Sequence, residues 1–159
     1  MISGVVSGKG SSYEMGYIHG SGAAAGVRHN VNGFFGHLQA GGYSRETVVG
    51  LAREQAQGDA CWQDQVAGIA DGAGLEFGEV LAYNVYHDVV SPEECTVSMA
   101  IGKASGTGET VFAKNSDKVG GASLVGPNFY RNKEINVILF DEMSNGVKIV
   151  GVCAAGTTG

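Results

Sequence analysis

Apolar and polar positions change their period once along the chain, near Pro92. Before Pro92 the apolar residues recur every three or four positions, and after it they alternate. The opening "ISGVV" reads as a short strand. Ser11 then begins "SSYE", a capping box in which Ser11 caps a helix and Glu14 reaches back to it. Met15, Ile18, Val27, Val31, Phe34, Phe35 and Leu38 continue one helical stripe until "AGGYS" breaks it. Ser44 caps a second helix, "SRETVVGLAREQAQGDACWQDQVAGIADGAG", divisible at Gly58 and Asp59. Its apolar positions are Val48, Leu51, Ala52, Ala56, Val66 and Ile69. Gly in "DGAG" ends it where a left-handed cap is wanted. A shorter third helix covers Phe77 to His87.

Past Pro92, "CTVSMAIG" alternates, "SGTGE" turns and "TVFAKN" returns, the pattern of a hairpin with a long loop. "KVGGASLVGPNFYRNK" is irregular. "EINVILF" and "VKIVGVCA" are two further strands joined by "DEMSNG", in which Asn145-Gly146 is a strong turn signal. Their near-continuous apolar runs predict a sheet covered on both faces. Residues 11–88 are expected to pack over one face of it. The final "AAGTTG" follows a buried-looking strand directly, so the chain reads as the front part of something longer, or as one of two pieces.

A chain of 159 residues, 43% hydrophobic and 16% charged, is long enough for one domain with a core. Its formal charge of −6 argues against nucleic acid or an anionic membrane surface as partner, because both need a basic patch. No basic segment followed by a long apolar run opens the chain, and three cysteines without a secretory signal point to a reduced, cytoplasmic protein. Cys61, Cys95 and Cys153 form no zinc spacing, and the four histidines form no HExxH or i,i+4 pair, so neither metal nor cofactor is expected. Cys61 and Cys153 read as small buried hydrophobes. The 27 glycines sit among apolar residues, many in helical windows, which marks either close-packing positions or a compact, small-residue helix interface.

Cys95 is the residue with chemistry to explain. In the hairpin it opens one strand, while Lys114, Asn115, Ser116 and Asp117 end the antiparallel partner. A thiol, a cation and a carboxylate then converge at one sheet edge, and a nearby Lys favours the thiolate. The plainer reading is a buried Cys beside an ordinary turn. A dyad between Cys95 and a histidine, His87 being nearest in sequence, is a further alternative. "GKASGTGE" lacks a GK[ST] ahead of a helix and is no phosphate loop.

Four segments carry a resemblance. "GSSYEMGYIHG" is similar to the opening G-x-x-x-E-x-G-x-x-x-G segment of the acyl-coenzyme A:6-aminopenicillanic acid acyltransferase family. "VAGIADGAGLEFGEVLAYNVYHDV" resembles that family's "GIAEGAG…(D/E)VLALN" segment, and "ECTVSMAIGKASGTGETVFAKNSD" its "GCT…G…NWD" hairpin. "VGVCAAGTTG" resembles its "TEAGIIG" strand. The four occur in the family's order and span nearly the whole chain.

The resemblance implies an α+β fold, the four-layer αββα sandwich of N-terminal-nucleophile hydrolases, incomplete in this chain. It implies a single domain in which residues 1–94 resemble the pro or alpha chain and 95–159 the first strands of the nucleophile-bearing beta chain. Cys95 matches the nucleophile, freed by self-cleavage between Glu94 and Cys95, and Asp117 and Asn115 match the Asp and Asn of "NWD". Lys114 stands where relatives often carry Arg or another polar residue. Glu94 replaces the usual Gly and Ser116 the usual Trp. The implied activity is hydrolysis or acyl transfer on a small linear amide or acyl substrate through a Cys95 thioester, with the missing C-terminal half or an oligomeric partner completing the protein. The alternative is an uncleaved, non-enzymatic subunit with a structural or interaction role.

Overall fold

The computed structural model describes residues 2–56, 59–90, 94–117 and 135–158. Among them the chain is α+β. Strand β1 (Ile2–Gly10) leads into α1 (Ser12–Gly22), α2 (Ala24–Ala40), α3 (Arg45–Gln55), α4 (Ala60–Ala73) and α5 (Phe77–Val90). Strands β2 (Glu94–Ala100), β3 (Val111–Asp117), β4 (Asn136–Met143) and β5 (Lys148–Ala154) follow.

Local signals set most of the helix ends. The Ser11 hydroxyl accepts from the Glu14 N–H while Glu14 accepts from the Ser11 N–H, which is the expected capping box. Ser44 caps α3 through Thr47 N–H, and Asp59 caps α4 by accepting from the N–H groups of Cys61 and Trp62. Gly74 closes α4 in the left-handed conformation at φ 67°. The expected continuous first helix is instead interrupted at Ala23, whose φ of −118° is not helical. The proposed division of the second helix is real; Gly58 itself lies outside the described residues.

Strands β1, β4 and β5 form one sheet in that order, β1 parallel and β5 antiparallel to the central β4. A parallel neighbour needs a long crossover, and here the five helices lie between the two strands in sequence. Val6, Val137 and Leu139 point from the sheet into a core with Val27, Val31, Phe34 and Phe35 of α2, Val66 and Ile69 of α4, and Val80 and Tyr83 of α5. Arg45 of α3 pairs with Glu79 of α5 and stacks over Phe35, 4.4 Å from the ring centre.

The sheet's second face corrects the expectation of cover on both sides. Register places Val5, Ile138 and Val152 in one cross-strand row and Phe140 beside Val150 in the next. Val150 and Val152 are 67% and 66% exposed, and Val5 and Phe140 are exposed with them. The apolar runs are real, but among the described residues helices cover only one side.

Helices α1 and α4 touch backbone to backbone. A methyl group on Gly16 or Gly20 would lie 2.0 Å or 2.2 Å from the carbonyl oxygens of Gln65 and Ile69. One on Gly68 or Gly72 would lie 2.1 Å or 2.4 Å from those of Tyr13 and Tyr17. These four glycines are close-packing positions, as their apolar setting predicts. No described helix is long and apolar enough to cross a membrane.

Candidate functional site

The hairpin register fixes where the expected site residues stand. Cys95 pairs with Ser116, Glu94 with Asp117, Thr96 with Asn115 and Val97 with Lys114. Strand β2 begins one residue earlier than expected, at Glu94, so both residues of the expected cleavage bond lie within the paired strand. Cys95 and the Lys114–Asp117 run therefore occupy the same end of one antiparallel pair, as alternation and turn signals require. The side chains of these residues lie outside those described; their backbone register is what the structure gives.

At the other end of the hairpin, Gly102–Ser105 forms a single 3₁₀ turn, and Gly106 and Gly108 adopt positive φ. Met99, Ile101 and Val111 are exposed there, at 61%, 61% and 48%. A two-stranded ribbon is marginal in water without a third strand or a packed face. The hairpin forms its own two-stranded sheet, separate from β1, β4 and β5.

A second polar cluster, missed in the sequence, lies where β5 ends. Asn30 of α2 donates to the carbonyls of Ile135 and Ala155, at 2.8 and 2.9 Å, and accepts from Ile135 N–H at 2.9 Å. Asn84 of α5 donates to the Gly156 carbonyl at 2.8 Å and accepts from Thr158 N–H at 2.9 Å. The Trp62 indole N–H donates to the Thr158 hydroxyl at 2.9 Å. His19 of α1 accepts from Gly156 N–H at 3.3 Å through Nε2. Small and polar residues running on from a strand in "AAGTTG" were the available sign, but they do not name partners as many as 137 residues away.

Of the aromatic residues on α5, Tyr83 is core at 1% exposure and Phe77 is partly buried against that core. The Tyr86 and His87 side chains lie outside those described. Cys61 is exposed, correcting the expectation of a buried thiol: it sits near the start of α4 on the solvent side. Cys153 is half-buried, and burial pushes its thiol up, with Asp141 adding to the effect and a bond to Thr157 opposing it. Burial also raises Asp141 above the usual carboxylate range.

Two shallow clefts open elsewhere. One, of about 320 Å³, is lined by Lys9, Tyr13, Glu14, Tyr17 and Ile18. The other, of about 410 Å³, lies over the sheet at Ser7, Phe140, Glu142, Lys148 and Val150. None of their lining residues belongs to the hairpin. Among the described residues no three His, Cys, Asp or Glu side chains are grouped to hold a metal ion.

No protein-family model matches the chain, and no curated protein matches it.

Proposed function

We propose that the chain is the nucleophile-bearing front part of a cysteine amide hydrolase or acyltransferase of the N-terminal-nucleophile type. The observation that carries this reading is the hairpin register, with Cys95 opposite Ser116 and the Lys114–Asp117 run completing the neighbouring strand. The four ordered motifs give the reading its chemistry.

In the uncut chain the Cys95 thiol attacks the Glu94 carbonyl carbon. The peptide nitrogen leaves as the Cys95 α-amine, and a thioester remains between Glu94 and Cys95. Water hydrolyses that thioester, so Glu94 departs with a new carboxylate and Cys95 keeps a free thiol. An α-amine has a pKa near 8, so close to neutral pH a useful fraction is unprotonated and takes the thiol proton. The thiolate then attacks a small linear amide, the amine product leaves, and water or an acceptor amine resolves the acyl thioester. Asp117 holds the new α-amine, Lys114 favours the thiolate, and Asn115 supplies a polar partner beside them. No His is needed.

In this reading the hairpin belongs to a second sheet of an αββα sandwich, stacked over the open face of β1, β4 and β5. The exposed apolar rows on that face and the exposed Met99 on one face of the hairpin support it, because both surfaces gain by burial.

Intact mass of fresh and aged protein tests the proposal, with Cys95→Ala beside it. Fragments divided between Glu94 and Cys95, and absent from the variant, support it. A chain that stays whole for days at neutral pH, in every preparation, sinks it. The second reading is an uncleaved subunit with an interaction role. The open apolar face favours it too, together with Glu94 and Ser116 in place of the family's Gly and Trp. A stable complex with a second chain and no cleavage would establish that reading instead.

A further inference from the structure

The chemistry proposed above leaves the buried imidazole of His19 unused. His19 lies in the last turn of α1 and is 1% exposed. Its Nε2 accepts from Gly156 N–H at 3.3 Å, so the ring is neutral and carries its proton on Nδ1. Nδ1 is fully buried and has no hydrogen-bond partner among the described residues. The Gly156 carbonyl and Thr158 are held by Asn84, and Thr158 also by Trp62. Helices α1, α4 and α5 thus each grip one short turn.

Protonation breaks the arrangement at one atom. An imidazolium has N–H groups at both nitrogens, so Nε2 can no longer accept, and its new hydrogen faces the hydrogen of Gly156. The charge would also be buried without a partner. Several charged groups on the surrounding elements are occupied elsewhere. Lys9 of β1 pairs with Glu142, Glu14 serves the α1 cap, Asp71 of α4 accepts from Tyr13, and Arg28 of α2 donates to the Ala73 carbonyl. Asp141 of β4 stands against Gly8 of β1. None of these shifts His19; burial alone lowers it from 6.5 to about 4.

We propose that His19 is an acid-operated latch: its neutral ring holds the turn at residues 155–158 against the helical layer, and protonation releases that turn. The latch is independent of any chemistry at Cys95. The chain carries its own reporter, because its single tryptophan is Trp62, whose indole N–H ends on Thr158.

The test is Trp62 emission and acrylamide quenching of the full chain between pH 7.5 and 3.5, compared with His19→Gln. The glutamine amide oxygen can accept from Gly156 without titrating. The unaltered chain should show a red shift and at least a two-fold rise in quenching, with a midpoint roughly between pH 4 and 5, while far-ultraviolet helicity persists. In His19→Gln the transition should vanish or move down by about a pH unit or more. An unchanged midpoint in the variant would overturn the latch. If the variant does not fold, nitrogen shifts of His19 in the unaltered chain decide the matter. A ring protonated on Nδ1 at neutral pH that titrates below about pH 5 supports the latch, and one that titrates near its ordinary value of about 6.5 refutes it.

Discussion

Replacing Gly68 by Ala sets two physical effects against each other at one atom. A methyl group favours a helix over glycine by about 1 kcal/mol. At Gly68 that methyl would stand 2.1 Å from the Tyr13 carbonyl oxygen and 2.7 Å from Tyr17 nitrogen. Both are backbone atoms, so no rotamer change makes room; α1 and α4 must part by more than 1 Å to reach ordinary contact. Overpacking of this kind costs about 3 kcal/mol at the upper end of its range, and a gap of that size forfeits a quarter or more of each facing dispersion contact. The net expectation is a loss of about 2 kcal/mol or more, which for a chain of this length lowers Tm by about 4–8 °C. Gly33 and Gly50 are the controls: both are exposed helical glycines with nothing within 4 Å of an added methyl group. Gly33→Ala and Gly50→Ala should each raise stability by about 0.5–1 kcal/mol. Urea unfolding followed by circular dichroism reads all three variants. A Gly68→Ala protein as stable as the unaltered chain would refute the backbone contact between the helices.

Asn30 is 2% exposed and satisfies both the entry to β4 and the exit from β5, so Asn30→Ala should cost about 3 kcal/mol in urea unfolding. Val150→Lys on the exposed sheet face should reduce binding of a hydrophobic dye and change stability by no more than about 0.5 kcal/mol while that face stays open; a larger loss of stability would show instead that the hairpin sheet already covers it in this chain. Burial lowers His19 to about 4, so the unfolded chain takes this proton first. Its contribution is complete above about pH 6.5 and is lost as pH falls toward 4, up to about 3 kcal/mol, measurable as the difference between unaltered and His19→Gln unfolding curves across that range. Asp141 has the opposite sign: burial raises its folded value, so its ionisation costs stability at neutral pH and the cost fades in acid. Asp141→Asn should therefore stabilise the chain at pH 7 and have less effect at pH 3.5, a difference that thermal melts at the two pH values will read.

What the sequence by itself determined is local. The Ser11–Glu14 capping box, the Ser44 cap, the helix break at Asp59, the left-handed Gly74 and the hairpin that brings Cys95 to the Lys114–Asp117 end of its partner all rest on bonds between near neighbours or across one turn. Such bonds form from residue type and period alone, which is why they were legible. Only the tertiary structure decided the rest. It paired β1 with β4, strands separated by more than a hundred residues, and it set Gly16 and Gly20 against α4, and Gly68 and Gly72 against α1. It also gave His19 a partner in Gly156 and, among the described residues, left one face of the sheet open. An apolar run says that a strand can be buried on two faces, but not whether a second layer is present. Likewise, a histidine in a helical window gives no hint of its acceptor role, because the donor it meets arrives from the far end of the chain once the core has closed.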